Sequence, residues 1–144
     1  MPDEVVAGLD IGRRRIGIAV ADAIGLAAHP IAVIERRSTD RDIERVRIAI
    51  ADRPVTRIVV GLPLNMNDTE GQRAYLVREF ATRLQHTLKI SVELFDERLS
   101  TIEARERLGM GQARRKRQRQ PVDAIAAAVI LERWLTEQRG RLDG

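Results

Sequence analysis

The sequence contains no cysteine and only two histidines, His29 and His86. The missing thiols exclude disulfide bonds, zinc–thiolate sites, iron–sulfur clusters and cysteine nucleophiles. No motif links the two histidines, so the sequence gives little support for a Ser-His-Asp triad or a histidine-rich metal site. A bound metal ion would therefore depend mainly on carboxylates, which are the ligands that Mg²⁺ and Mn²⁺ prefer.

Long apolar runs and aromatic residues are also scarce. The longest apolar run covers eight residues, 124–131, whereas a helix that crosses a bilayer needs about 20. The N-terminal residues MPDEVV lack the basic and then apolar pattern of a secretory signal, so we expect a cytoplasmic protein that contacts no membrane. One Trp, one Tyr and two Phe favour backbone and shape contacts over base stacking in any nucleic-acid recognition.

Length and composition indicate one folded domain. The 144 residues are 44% hydrophobic and 32% charged, which is typical of a globular protein. A chain of this length supports one hydrophobic core, so we expect a single domain over residues 1–144.

Positive charge is concentrated in one segment, residues 105–119. This segment carries a net charge of +6, whereas the other 129 residues together carry −2. Its basic side chains are Arg105, Arg107, Arg114, Arg115, Lys116, Arg117 and Arg119. Arginine suits phosphate because its planar fork can bind two oxygens, so the segment indicates a polyanion contact; a solvated charged loop is the alternative.

The hydrophobic pattern predicts five strands and four helices. Continuous or alternating apolar runs predict strands over residues 5–9, 16–21, 30–34, 57–62 and 91–95. Helical spacing and capping residues predict four helices. The first begins at Thr39, with Asp42 in a capping box, and stops before Pro54; the second begins at Asp68 or Thr69. The third runs from Ser100 to Gly109, and the fourth from Pro121 to about Gln138. The order βββαβαβαα predicts an α/β fold, with a five-stranded mixed sheet of order 3-2-1-4-5 and helices on both faces.

Four acidic residues lie at the ends of these elements. Asp10 follows a buried strand, where a carboxylate is costly unless it is paired, hydrogen-bonded or bound to a metal; turn capping before Gly12 is the alternative. Asp96 and Glu97 end the fifth strand and point to opposite faces, and either could simply pair with Arg98.

Asp123 lies in the first turn of the last helix. The helix dipole favours an acid there, yet Asp123 also heads an apolar face and could approach Asp10 if the helix crosses the central strand. Three such acids could form a carboxylate cage for two divalent ions, which would support phosphodiester cleavage.

Four sequence blocks together resemble the bacterial YqgF family. They are DIGRRRIGIAVAD (10–22), VVGLPLNMNDTEGQRA (59–74), FDERLSTIEA (95–104) and PVDAIAAAVILERWL (121–135). The family is named for cleavage of the 16S rRNA precursor, and formerly for Holliday junction resolution, and is similar to the RuvC resolvases. The resemblance implies a ribonuclease H-like fold and a magnesium- or manganese-dependent nuclease that matures the 5′ end of 16S rRNA.

The resemblance also implies roles for individual residues. Asp10 and Asp123 match the catalytic and metal-binding acids, and Glu97 is favoured over Asp96 as the third. It also implies nucleic-acid contacts by Arg15, Arg98, Asn65 and Thr69. The charge of the basic segment adds five further predicted contacts, Arg114, Arg115, Lys116, Arg117 and Arg119. Turn formation and helix capping are the alternative roles of Asn65 and Thr69.

The sequence leaves several functions open. A nuclease acting on pre-rRNA, alone or within ribosomal precursor particles, and a resolvase of branched DNA could use the same acids. A resolvase needs a dimer, and we expect a monomer or a weak homodimer. A non-catalytic RNA-binding factor and an actin-like nucleotide-binding half-domain are further alternatives, of which the second is disfavoured because such ATPases need two lobes.

Overall fold

The computed structural model of the protein describes residues 5–22, 27–63, 71–96 and 122–143. Along the chain these ranges form β1 (Val5–Ile11), β2 (Arg15–Asp22), β3 (His29–Glu35), α1 (Thr39–Ile50), β4 (Val55–Leu62), α2 (Gln72–Leu88), β5 (Ser91–Asp96) and α3 (Val122–Asp143). Of the helices in these ranges, none is both long and apolar enough to span a membrane.

The strands form one mixed sheet in the order β3-β2-β1-β4-β5. β1 pairs antiparallel with β2 and parallel with β4, and β5 lies parallel beyond β4. The predicted strand order and α/β class are therefore confirmed. Because β1, β4 and β5 run in the same direction, their last residues lie along one edge of the sheet, which we call the carboxyl edge.

One face of the sheet is covered by α1 and α2. Their buried residues recur at three- and four-residue spacing, as expected for amphipathic helices. These residues are Ile43, Val46 and Ile50 in α1 and Ala74, Val77, Phe80, Ala81 and Leu84 in α2. They share a core with alternate residues of β1 and β4, namely Ala7, Leu9, Ile11, Ile58, Val60 and Leu62. The intervening strand residues therefore face the other side of the sheet.

α3 covers the opposite face, and two glycines allow its close approach. The helix packs through Ala127, Ala128, Ile130, Leu131, Trp134 and Leu135. A Cβ at Gly8 would lie 3.0 Å from both the Ala127 carbonyl oxygen and the Leu131 Cβ, and a Cβ at Gly17 would lie 2.0 Å from the Asp123 carbonyl oxygen. Only glycine leaves room for the helix backbone at Gly17, so the first turn of α3 lies directly against the start of β2.

The predicted capping box of α1 is wrong, although the helix does begin at Thr39. Ser38 is the N-cap, and its Oγ accepts a hydrogen bond from the Arg41 N–H at 3.3 Å. Asp42 instead accepts from the Arg37 N–H at 2.9 Å, because its side chain turns back toward the loop before the helix. In that loop the Arg37 N–H and the Arg36 guanidinium both donate to the Asp42 carboxylate. These two hydrogen bonds offset the cost of burying its charge, which a capping box would not do.

α2 begins at Gln72, later than predicted, and its N-cap, Gly71, has an extended backbone. Asp68 and Thr69, where the sequence placed the start, lie outside the described residues. The strands extend one or two residues beyond the predicted ranges, and α3 continues to Asp143. The helix predicted from Ser100 to Gly109 lies outside the described residues.

Candidate metal and nucleic-acid site

Asp10 is the second-last residue of β1 and lies on the α3 side of the sheet. Alternation along the strand puts it on the same face as Val6 and Gly8, which both contact the α3 side of the core. Its neighbours Leu9 and Ile11 face α1 and α2 and are buried. Asp10 itself is only partly buried. The strand therefore presents a carboxylate beside α3, at the carboxyl edge.

Asp123 reaches the same corner from the C-terminal helix. Asp10 is directly paired with Gly17 in the antiparallel register of β1 and β2, and Gly17 is the residue against which the Asp123 backbone packs. Directly opposed residues of two strands point to the same face. The Asp123 Oδ1 also lies 3.9 Å from the position that a Cβ would take at Gly12. Two carboxylates that are far apart in the sequence therefore share one corner of the fold.

Arg15 forms an ion pair with Asp123. Its Nε donates to Asp123 Oδ2 at 2.9 Å, while the two side chains are 52% and 26% exposed, respectively. A pair this exposed contributes little to stability, on the order of 0–1 kcal/mol. Its importance is chemical, because a guanidinium beside an acid can contact a phosphate oxygen that approaches the same corner.

Asp96 lies on the other face of the sheet from Asp10. In β5, Leu94 packs with the α1 and α2 core and Phe95 with the α3 core. Asp96 pairs with Leu62 of β4, whose side chain also belongs to the α1 and α2 core. Asp96 therefore does not share a face with Asp10. Glu97, which the sequence favours as the third acid, lies outside the described residues.

The other predicted nucleic-acid contacts also lie outside the described residues. They are Arg98, Arg114, Arg115, Lys116, Arg117, Arg119, Asn65 and Thr69. Of the predicted site residues that the structure does describe, it brings together Asp10, Asp123 and Arg15, and it separates Asp96 from them.

The donor chemistry at this corner fits a hard divalent ion. Asp10 and Asp123 offer carboxylate oxygens, which Mg²⁺ and Mn²⁺ bind in preference to nitrogen or sulfur. In the part of the chain that the structure describes, no group of three or more His, Cys, Asp or Glu side chains could hold a metal. The two described acids are thus a partial donor set that a third acid on the α3 face would complete.

Two arginines that sequence reasoning missed hold the turn after Asp10. Arg73 Nη2 donates to the Ile11 carbonyl oxygen at 2.6 Å, and Arg36 Nη1 donates to the Gly12 carbonyl oxygen at 3.1 Å. The Gly12 N–H also donates to the Arg15 carbonyl oxygen at 2.8 Å, which closes the turn. Guanidinium groups from the residue after β3 and from α2 therefore fix the backbone between Asp10 and Arg15.

Arg36 is in turn held by Asp42, which is only 1% exposed. Arg36 Nε donates to Asp42 Oδ2 at 3.1 Å, and the guanidinium lies 5.4 Å from the centre of the Phe80 ring. A buried carboxylate with two donors is a specific restraint, because loss of either partner leaves an unpaired group in the core. The turn after Asp10 is therefore connected to the α1 and α2 core.

Asp42→Ala is expected to lower the free energy of unfolding by about 2–3 kcal/mol, because Arg36 loses its buried partner. Urea denaturation measures this change. Asp40→Ala is the matched control: Asp40 pairs with Arg83 but is 82% exposed, so its loss should cost less than about 0.5 kcal/mol. Equal losses in the two variants would show that the Asp42 contact contributes nothing specific.

Comparison with solved structures identifies the fold. The fold is ribonuclease H-like and similar to RuvC: a structure of Thermus thermophilus RuvC in complex with a Holliday junction substrate superposes with a TM-score of 0.61 at 18% identity, covering 94% of this chain and 96% of that one. The family model described as "RuvX: Holliday junction resolvase" matches residues 4–137. The chain belongs to this RuvX family, which is the YqgF family that the sequence motifs resemble.

Two relatives cover nearly the whole chain. A protein of Anaeromyxobacter sp. (strain K) is 51% identical over 128 residues, which are 89% of this chain and 93% of the relative. A protein of Myxococcus xanthus is 42% identical over 132 residues, or 92% and 87% of the two chains. Both bear the name "Putative pre-16S rRNA nuclease". The expected family membership is confirmed.

Proposed function

We propose that this protein is a metal-dependent nuclease that hydrolyses phosphodiester bonds in structured RNA, at the 5′ end of the 16S rRNA precursor. The observation that supports it most is the meeting of Asp10 and Asp123 at one corner of a ribonuclease H-like sheet. The names of the relatives favour an rRNA substrate, and such a substrate implies action in the cytoplasm on free pre-rRNA or on ribosomal precursor particles.

Asp10, Asp123 and Glu97 would hold the metal, and Mg²⁺ or Mn²⁺ is the ion that this donor set favours. A divalent ion bound there supplies Lewis acidity toward the phosphate and lowers the pKa of water. The protein's own contribution is orientation: β1 fixes Asp10 on the α3 face, and contact with Gly17 fixes the first turn of α3, which carries Asp123. Both acids are thus held by rigid elements, which a catalytic site requires.

Arg15 would bind the substrate at this corner. Its guanidinium pairs with Asp123 and remains half exposed, so it can share its donors with a phosphate oxygen. Arg98 and the basic residues 114–119 would add contacts to the RNA backbone, because arginine forks bind phosphate without reading sequence. These contacts would confer affinity that falls with rising salt concentration.

Cleavage assays test the proposal directly. The purified protein is incubated with a labelled pre-16S rRNA fragment and, separately, with a synthetic four-way DNA junction, each with Mg²⁺, Mn²⁺ or EDTA. We expect the RNA to be cut in the presence of either metal and to stay intact in EDTA, because the acids alone cannot activate water.

Each other outcome supports an alternative. Symmetric cutting of the junction without cutting of the RNA would support a resolvase, and should then be accompanied by a dimer in sedimentation. RNA binding without cleavage in either metal would support a non-catalytic RNA-binding factor. Either result would reject the proposed activity.

A further inference from the structure

A second feature of the carboxyl edge is a groove on the α1 and α2 side, which the proposed nuclease site does not use. Its volume is about 570 Å³. We call it the arginine groove, after three of its lining residues, Arg13, Arg36 and Arg73; Pro63, Gln72 and Leu76 also contribute to its walls. The groove begins at the turn that follows Asp10, because Arg36 and Arg73 both bind backbone oxygens of that turn.

The lining of the groove is positively charged. Three guanidinium groups line the groove, and Arg36 pairs with the carboxylate of Asp42, which is buried. No acidic side chain belongs to the groove lining among the described residues, and the first turn of α2, at the groove wall, contains none either. A concave surface with this excess of arginine attracts phosphate groups.

Two of the three arginines are oriented before any ligand binds. Hydrogen bonds to Ile11 and Gly12 hold the guanidiniums of Arg73 and Arg36, so little side-chain entropy remains to be lost on binding. Arg13 differs from them: it is exposed, and it forms no hydrogen bond or ion pair with another residue in the described ranges. A purely structural role therefore accounts for Arg36 and Arg73 but leaves Arg13 unexplained.

The turn also connects the groove to the acids. Arg15, at one end of the turn, reaches Asp123 on the α3 side of the sheet, whereas Arg13, two residues earlier, lines the groove on the α1 and α2 side. A chain of phosphates that crosses the carboxyl edge over this turn would pass both sites. Adjacent phosphates of one strand are spaced closely enough to contact both sides of a single turn.

We propose that the arginine groove binds a backbone phosphate of the same RNA strand that is cut at Asp10 and Asp123. The inference rests on the proposed nuclease function for the identity of the strand, and on the groove's own charge and geometry for the contact. Its ligand is a phosphodiester, so recognition should be independent of sequence and sensitive to salt.

The test measures RNA affinity without cleavage. Fluorescence anisotropy is recorded with a labelled pre-16S rRNA fragment in EDTA for the wild type and for Arg13→Glu, Gln72→Glu and Arg139→Glu. Arg139→Glu is the matched control, since it makes the same charge change at an exposed position near the far end of α3. Gln72→Glu adds a carboxylate to the first turn of α2, where the helix dipole favours it, so a loss of fold cannot explain its effect.

We expect Arg13→Glu and Gln72→Glu each to weaken RNA binding by about tenfold, as expected for the loss or repulsion of one phosphate contact, and Arg139→Glu to stay within about twofold of the wild type. Thermal melting should show all four proteins folded. If the two groove variants bind RNA as well as Arg139→Glu does, the inference is overturned.

Two further measurements, pyrophosphate binding and RNA cleavage, distinguish failure of the groove contact from failure of the nuclease proposal. If inorganic pyrophosphate binds the wild type but not Arg13→Glu, while RNA affinity is unchanged by Arg13→Glu, the groove serves a small phosphate ligand and the RNA contact is rejected. Conversely, if the wild type cuts no RNA yet loses affinity through Arg13→Glu and Gln72→Glu, the nuclease proposal fails while the groove contact stands.

Discussion

Asp10→Asn is expected to slow RNA cleavage by about a thousandfold or more, because it would remove one charged ligand of the proposed metal ion; this corresponds to roughly 4 kcal/mol of lost transition-state stabilisation. The amide has nearly the same shape as the carboxylate, so the β1 strand should keep its fold. Single-turnover cleavage of the pre-16S rRNA fragment at saturating Mg²⁺ measures the effect.

A matched control for Asp10→Asn exists at the opposite end of the sheet. Asp52 is 74% exposed and pairs with the neighbouring Arg53. Asp52→Asn makes the same chemical change, and its cleavage rate should equal that of the wild type. RNA affinity in EDTA should not fall in Asp10→Asn, since no metal is bound there and the change removes a negative charge. A cleavage rate within tenfold of the wild type would remove Asp10 from the catalytic machinery.

Gly17→Ala is expected to lower the free energy of unfolding by about 3 kcal/mol or more, because the new methyl overlaps rigid backbone and not a flexible side chain. The added Cβ would lie 2.0 Å from the Asp123 carbonyl oxygen and 2.8 Å from the Ala124 nitrogen, so the first turn of α3 must move away. Asp123 moves with it, and cleavage should fall further than the remaining folded fraction explains. Urea denaturation and cleavage at matched folded protein concentration separate the two effects.

Gly140→Ala provides the control within the same helix. A Cβ at Gly140 would meet no heavy atom within 4 Å. Alanine in place of an exposed helical glycine should therefore stabilise the protein, by roughly 0.5–1 kcal/mol. If Gly17→Ala were as stable as the wild type, the backbone of α3 at Asp123 could not pack against Gly17 of β2 as the structure shows.

The strand order can be predicted from the sequence because local patterns determine most of it. A short link containing Gly12 makes β1 and β2 antiparallel neighbours, and helical connections before β4 and β5 make these strands parallel additions. The start of α2 is less predictable: Asp68 and Thr69 are both good caps by residue type, whereas Gly71 is the cap and offers no side-chain hydrogen bond. Residue type alone therefore does not select the cap among these candidates.

The site can be predicted only in part. Asp10 stands out because a carboxylate follows a buried apolar run, and Asp123 because an acid heads an apolar helical face. Their meeting depends on the close fit of α3 against Gly17, which no local pattern encodes. The roles of Arg36 and Arg73 are equally hidden, since both act through backbone oxygens of a distant turn and the sequence contains many arginines.

The central claim is that Asp10 and Asp123 bind the same divalent ion. A crystal grown with Mn²⁺ tests this most directly through its anomalous difference map. We expect a peak within about 2.0–2.3 Å of a carboxylate oxygen from each residue, with the Arg15 guanidinium displaced from the oxygen that the ion takes. A map in which Mn²⁺ binds elsewhere, while Arg15 still pairs with Asp123 in a protein that cuts RNA, would contradict the claim.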